Sequence, residues 1–345
     1  MSDDDALRGA PQSSGPETQA DARGSSQATQ TQATQMRGRG ARAWLRWVCV
    51  EPERARPRAL LRLLIHALGV LASYVVGGVL AWASGPSTAG RAAAIGLQTA
   101  LVVLVTWACA RFVDRRPPTQ MLGSADRRAP IDLLVGVALG AGSIAVIALL
   151  EAQLGLAHYA PLALGSASLL RAGALLLFFV AVAIDEELWF RAYQLTNLAE
   201  GLSAWLGPRA SRATALVLSA LVFGLAHALN PNASLLSTAN IAVGGVFLGI
   251  TYAMTGRLWL ALGLHFAWNT AQCLLDMPVS GQTLGDELLV HRDELGDDLV
   301  TGGAFGPEGG ALGLSAMLLG TVLCVIHARL TLRPEVAKLD DAIAS

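Results

Sequence analysis

Charge is what this sequence has least of. Only 15% of its 345 residues are Asp, Glu, Lys or Arg, against 53% hydrophobic, and the mean hydropathy is +0.48. That balance excludes an ordinary soluble domain of this length and places the chain in a bilayer. Lysine is nearly missing: all but Lys338 of the 25 basic residues are arginine, an association with GC-rich bacterial genomes that makes a bacterial inner membrane the expected location. Four cysteines, Cys49, Cys109, Cys273 and Cys324, are scattered without a C-x-x-C pair, so they read as buried free thiols rather than a disulfide framework. No H-E-x-x-H or other compact zinc signature occurs. No apolar core with a small-residue cleavage site precedes the first long hydrophobic segment, so no signal peptide is expected. An internal repeat of the kind seen in many transporters is also lacking.

What is present begins with a polar tail. Residues 1–36, with the tract Ser25 to Gln32, hold too little apolar surface to offset the entropy of ordering and read as disordered. Arg37 to Arg58 is basic and carries Trp44 and Trp47 beside Arg42 and Arg46, which suits either a short interfacial helix or an unstructured basic flank. Eight stretches then have the length to span roughly 30 Å of hydrocarbon: 60–84, 91–113, 130–150, 169–194, 212–230, 238–255, 257–276 and 309–329. Trp82, Trp107 and Trp259 fall near their ends, as interfacial aromatics do. The fold expected is an all-α polytopic bundle of about eight transmembrane helices, with the sixth and seventh as a tight hairpin at Gly256. Gly136 with Gly140, and Gly245 with Gly249, are small-x-x-x-small pairs that allow close helix contact.

Arginine placement sets the expected orientation. Arg54, Arg56, Arg58 and Arg62 flank the first span; Arg111, Arg115, Arg116, Arg127 and Arg128 fall in the second connection, Arg209 and Arg212 in the fourth, and Arg257 in the sixth. These belong in the cytoplasm. The last connection carries Asp286, Glu287, Asp293, Glu294, Asp297 and Asp298 against a single Arg292 and lies outside, and Arg329 and Arg333 return the C-terminus to the inside. Both termini are then cytoplasmic, with Arg91 and Arg171 as lone exceptions.

The informative polar residues interrupt these apolar runs. Ala172 to Ile184 is nearly pure hydrocarbon and runs straight into Asp185, Glu186 and Glu187, with Arg191 a turn beyond. Ionisable groups at membrane depth are costly and mark function. Glu187 and Arg191 stand in the favourable acid-first i,i+4 order, while Glu186 points about 100° away around the helix. Glu186 is thus left free to hold a water and act as general base. Phe223 and His227 share one helix face, as do His265 and Asn269. His227 suits orienting the water or a second proton transfer, and His265 and Asn269 suit donation to a developing oxyanion. Counting about 1.5 Å per residue from flanking arginines puts Glu186 roughly 22 Å below the outer edge and His227 roughly 22 Å above the inner one, a conflict of about half a membrane.

Glu186-Glu187-Leu188-Trp189-Phe190-Arg191, Phe223-Gly224-Leu225-Ala226-His227 and His265-Phe266-Ala267-Trp268-Asn269 match the patterns E-E-x-x-x-R, F-x-x-x-H and H-x-x-x-N. In that order they resemble the CPBP family of intramembrane proteases, which includes CAAX prenyl endopeptidases of the Ras-converting type and bacterial abortive-infection and lysostaphin-resistance proteins. The resemblance covers about 130–280, departing at Ala192, where many bacterial members have glycine. It implies an all-helical membrane fold, Glu186 acting with His227 on water, and His265 with Asn269 on the tetrahedral intermediate, supported by Glu187, Arg191 and Phe223. The expected organisation is 1–58 as polar tail and basic juxtamembrane segment, 59–330 as transmembrane protease domain and 331–345 as short cytoplasmic tail. The family has often been described as metalloproteases. Asparagine is an unusual zinc ligand, so metal-free chemistry is favoured, with Glu186, His227 and His265 the ligands if zinc is bound. The expected partners are a membrane-tethered protein or peptide and the bilayer, with no nucleic acid. A proton-coupled transporter and a catalytically silent scaffold or immunity protein are the competing functions.

Overall fold

The computed structural model describes residues 50–51, 56–85, 87–163, 165–284 and 288–344, with backbone alone at 50–51, 88, 167, 204 and beyond 331. The polar tail and nearly all the basic segment expected over 1–58 lie outside the described residues, as do Cys49, Asp286 and Glu287. Residues 57–345 form one compact unit.

Among the described residues, eight long helices make up that unit. They are α1 (Ala59–Ala83), α2 (Thr88–Ala108), α3 (Ala129–Gln153), α4 (Ser166–Glu186), α5 (Thr196–Ala226), α6 (Leu235–Thr255), α7 (Trp259–Leu274) and α8 (Ala311–Ala344). Two strands, β1 (Ala157–Pro161) and β2 (Val290–Glu294), pair antiparallel with Tyr159 opposite Arg292. Among the described residues, seven segments are long and apolar enough to cross a membrane. The remaining expected stretch, the seventh at 257–276, is α7, whose 16 residues rise only about 24 Å.

Sequence chemistry sets the helix boundaries. Ser87 accepts from the Gly90 N–H and starts α2, and Pro130 stands in the first turn of α3. Ser234 and Ser237 form a reciprocal capping box at α6, which Gly256 ends in the left-handed conformation at φ 68°. Two departures from regular helix flank the polar motif. The chain widens into a π-helix over Glu187–Leu195, and α5 breaks at Gly207 (φ 71°) before Pro208, which can neither donate an N–H nor continue the preceding turn.

Burial is inverted relative to a soluble protein. Leu60, Leu64, Leu68, Leu71 and Val75 on α1 are exposed while Arg62 and His66 are buried, the pattern lipid demands. α7 is the exception: eleven of its sixteen residues are buried, so the bundle surrounds it. Glycine makes this possible. A Cβ on Gly136, Gly140 or Gly263 would sit 2.2 to 2.4 Å from a backbone carbonyl oxygen of the facing helix, so α3 and α7 meet backbone to backbone. A Cβ on Gly245 would come 2.8 Å from the Cα of Ala220 on α5, the second close approach expected from the sequence.

Several flanking arginines hold the unit together. Arg62 and Arg116 each reach Glu200 at 3.0 and 2.9 Å, and Arg116 lies 3.0 Å from buried Asp114, tying α1, the end of α2 and α5. Arg257 and His327 grip Asp132 at 2.7 and 2.9 Å. Arg292, the lone arginine of the acidic connection, is buried against Glu151 at 3.0 Å and Glu294 at 3.2 Å, with Tyr159 donating to Glu151. It fastens the β-ribbon to α3. Cys109, Cys273 and Cys324 are buried free thiols.

Candidate active site

Where α4 becomes a π-helix, its two glutamates part company. Glu187 is fully buried, and its Oε1 lies 3.0 Å from Arg191 Nη1 and 2.9 Å from His265 Nδ1. A carboxylate only accepts, so His265 Nδ1 carries hydrogen and the ring is fixed with Nε2 facing away from Glu187. Nε2 lies 3.7 Å from Oε2 of Glu186, an oxygen that has no hydrogen-bond partner. Arg191 is held in turn by the ring face of Phe223, 4.3 Å from its guanidinium carbon, which accounts for the aromatic at that position. Phe190 meets Phe223 edge-on at 5.1 Å.

His227 caps α5. Its Nδ1 lies 2.8 Å from the Phe223 carbonyl oxygen, which fixes hydrogen on Nδ1 and leaves Nε2 as the acceptor. Glu186, Phe223, His227, His265 and Asn269 all line one cavity of about 180 Å³ between α4, α5, α6 and α7. The expected site residues therefore meet, with Glu187 and Arg191 directly behind them. Glu186 and His227 share this cavity although both counted stretches, 171–186 and 212–226, are regular helix, so counting from the nearest arginines misplaces their relative depth. α7 supplies both members of the third motif from its buried face, Asn269 one turn beyond His265.

Two acids that the sequence left without a role are placed here. Asp185 is buried beside α2, where Gln98 Nε2 donates to it at 3.1 Å. Glu308, in a short turn before α8, lines the cavity and accepts from Trp268 Nε1 at 3.2 Å and Gln272 Nε2 at 2.7 Å. Its only signal in the sequence is an acid set within a Gly/Pro run, Gly306-Pro307-Glu308-Gly309-Gly310. Among the described residues, no three His, Cys, Asp or Glu converge as ligands of a metal ion would. The zinc set of Glu186, His227 and His265 is thus not assembled in this arrangement.

Residues 168–271 match the family model described as Rce1-like, type II CAAX prenyl endopeptidase. The chain carries an Rce1-like domain. The match covers less than a third of the sequence but contains all three motifs and reaches from α4 to α7, a shorter stretch than the 130–280 of the resemblance. No curated protein and no solved structure matches the chain. Seven apolar segments among the described residues, together with the Rce1-like match over 168–271, make this a multi-pass, bilayer-associated membrane protein with a CAAX-protease-like region.

Proposed function

We propose that the protein is an intramembrane endopeptidase that hydrolyses a peptide bond of a membrane-tethered protein or peptide. One observation carries the reading: Glu186 lines a cavity with His227, His265 and Asn269, while the adjacent Glu187 does not line it and has its Oε1 held by Arg191 and His265. Water between Glu186 and His227 gives up a proton to the carboxylate as its oxygen attacks the carbonyl carbon. The resulting oxyanion receives hydrogen bonds from the Asn269 amide and from His265 Nε2–H, His265 entering the cycle as an imidazolium that keeps both protons throughout, with Nδ1–H on Glu187. Collapse breaks the C–N bond, and the proton held by Glu186 passes to the departing amine. The sequence is complete without a metal. Arginine placement supports an orientation with both termini in the cytoplasm.

The test compares membranes containing the wild type with membranes containing Glu186→Gln by terminal-peptide proteomics, followed by assay of the purified proteins in liposomes. Products should vanish with Glu186→Gln while the unfolding temperature holds. Asn269→Ala should slow turnover by about 10²- to 10³-fold, and metal-stripped wild type should keep most of its activity. Undiminished proteolysis by Glu186→Gln overturns the assignment, and activity that returns only with stoichiometric zinc overturns the metal-free route.

A further inference from the structure

Six carboxylates are buried among the described residues: Asp114, Asp132, Glu151, Asp185, Glu187 and Glu308. Four have arginine partners: Asp114 with Arg62 and Arg116, Asp132 with Arg257, Glu151 with Arg292, and Glu187 with Arg191. This is the rule for charge withdrawn from water. Asp185 and Glu308 break it, since neutral amides or an indole bind them and no cation of the described residues lies within ion-pair distance. Of these two only Glu308 lines the cavity of Glu186.

We infer that Glu308 is a specificity-determining residue, a carboxylate that pairs with a basic side chain of the substrate close to the scissile bond. Its ligand is therefore an ammonium or guanidinium group, Lys or Arg in a peptide. The inference rests on the proteolytic reading. The register of α7 gives the distance. His265 and Asn269 act on the carbonyl, and Trp268 and Gln272, about one turn or roughly 5 Å further along the same face, hold Glu308. An extended chain advances about 3.3–3.6 Å per residue, so the basic residue stands one or two positions from the cleaved bond. It lies on the side of the 277–284 loop, whose Val279, Ser280 and Gln282 also line the cavity and whose Gly281 N–H donates to the Phe305 carbonyl at 2.7 Å. The turn that carries Glu308 is fixed in place: a Cβ on Gly306 would come 2.1 Å from the Pro278 carbonyl oxygen. Burial pushes the Glu308 carboxyl up to about 7, so at pH 8 it is largely ionised and without a counter-charge.

The experiment incubates full-length protein in liposomes at pH 8 with a randomised peptide library and reads cleavage sites by mass spectrometry. Wild type should show Lys or Arg enriched at least tenfold over Gln at one position, one or two residues from the cut. Glu308→Gln should lose that ratio, whatever its overall rate. Cleavage by wild type without basic enrichment overturns the inference and leaves the protease reading intact, as does enrichment that survives in Glu308→Gln. Should nothing be cleaved, the protease reading fails, and calorimetry with n-butylammonium at pH 8 decides the site independently. Binding to the Glu186→Gln protein at least tenfold tighter than to Glu186→Gln/Glu308→Gln supports a cation site, and equal or absent binding refutes it.

Discussion

Arg191 is the residue whose removal should cost the fold most. Its guanidinium is 2% exposed, lies 3.0 Å from a carboxylate that is 0% exposed, and rests on the Phe223 ring at 4.3 Å. Arg191→Ala strands Glu187 with His265 alone, and breaking a buried pair from one side costs about 3–5 kcal/mol. At about 2–4 °C per kcal/mol for a unit of this size, the unfolding temperature should fall by about 6–20 °C. The three buried thiols, Cys109, Cys273 and Cys324, supply the assay, because a thiol-reactive dye labels them only as the detergent-solubilised protein unfolds. The double variant Glu187→Gln/Arg191→Met removes both charges and keeps the volumes similar, so it should recover most of the lost stability. Activity should not return with it. His265 would still find an acceptor in the new amide but no anion to balance an imidazolium, and turnover should stay at least about 10²-fold below wild type. An Arg191→Ala protein that melts within about 2 °C of wild type, or a double variant as labile as the single one, refutes the ion-pair account.

Two further outcomes check the packing and the buried acid. Gly263→Ala puts a Cβ 2.2 Å from the Leu133 carbonyl oxygen and should cost about 1–3 kcal/mol or more with loss of activity, whereas Gly142→Ala, with nothing within 4 Å, should gain about 0.5–1 kcal/mol; equal effects in the same dye assay would contradict the α3–α7 contact. Glu308, raised from 4.5 to about 7 in the folded protein, binds its proton more tightly when folded, so its contribution to stability falls as pH rises between those values. The stability of wild type relative to Glu308→Gln should therefore drop by about 2–3 kcal/mol from pH 5 to pH 8, and a constant difference would show that the carboxyl does not titrate there.

Legibility in the sequence followed the range of the interaction. Span positions could be read because lipid rewards long apolar runs locally; α1, expected over 60–84, is Ala59–Ala83, and α6, expected over 238–255, is Leu235–Thr255. The Glu187–Arg191 pair was equally local, four residues apart in one helix. Gly136 with Gly140 and Gly245 with Gly249 could be seen as small pairs, but which helix each would meet could not. The contact of His265 with Glu187 joins residues 78 apart and has no periodic signature. Residue counting also failed on depth, since it took the nearest arginines as the bilayer edges, whereas the turn signal at Gly207–Pro208 does mark a break in α5.

α7 is the element that the sequence undervalued and the site depends on. An upright spanning helix needs about 20 residues, and α7 has 16, so lipid alone does not explain its place. Its place is explained by what it touches. Gly263 sets its backbone against Leu133 and Val137, and Gly136 and Gly140 on α3 accept Leu260, Leu264 and Trp268. Backbones in such contact cannot slide without collision, so the axial positions of His265 and Asn269 are fixed by α3 rather than by their own hydrogen bonds. The far end is fixed separately, Trp268 and Gln272 through Glu308 and Gln272 again through the Pro278 carbonyl. A helix pinned at both ends holds His265 Nε2 facing Glu186 on the wall of the cavity, which a water-activating site requires: donors and base fixed before the substrate arrives.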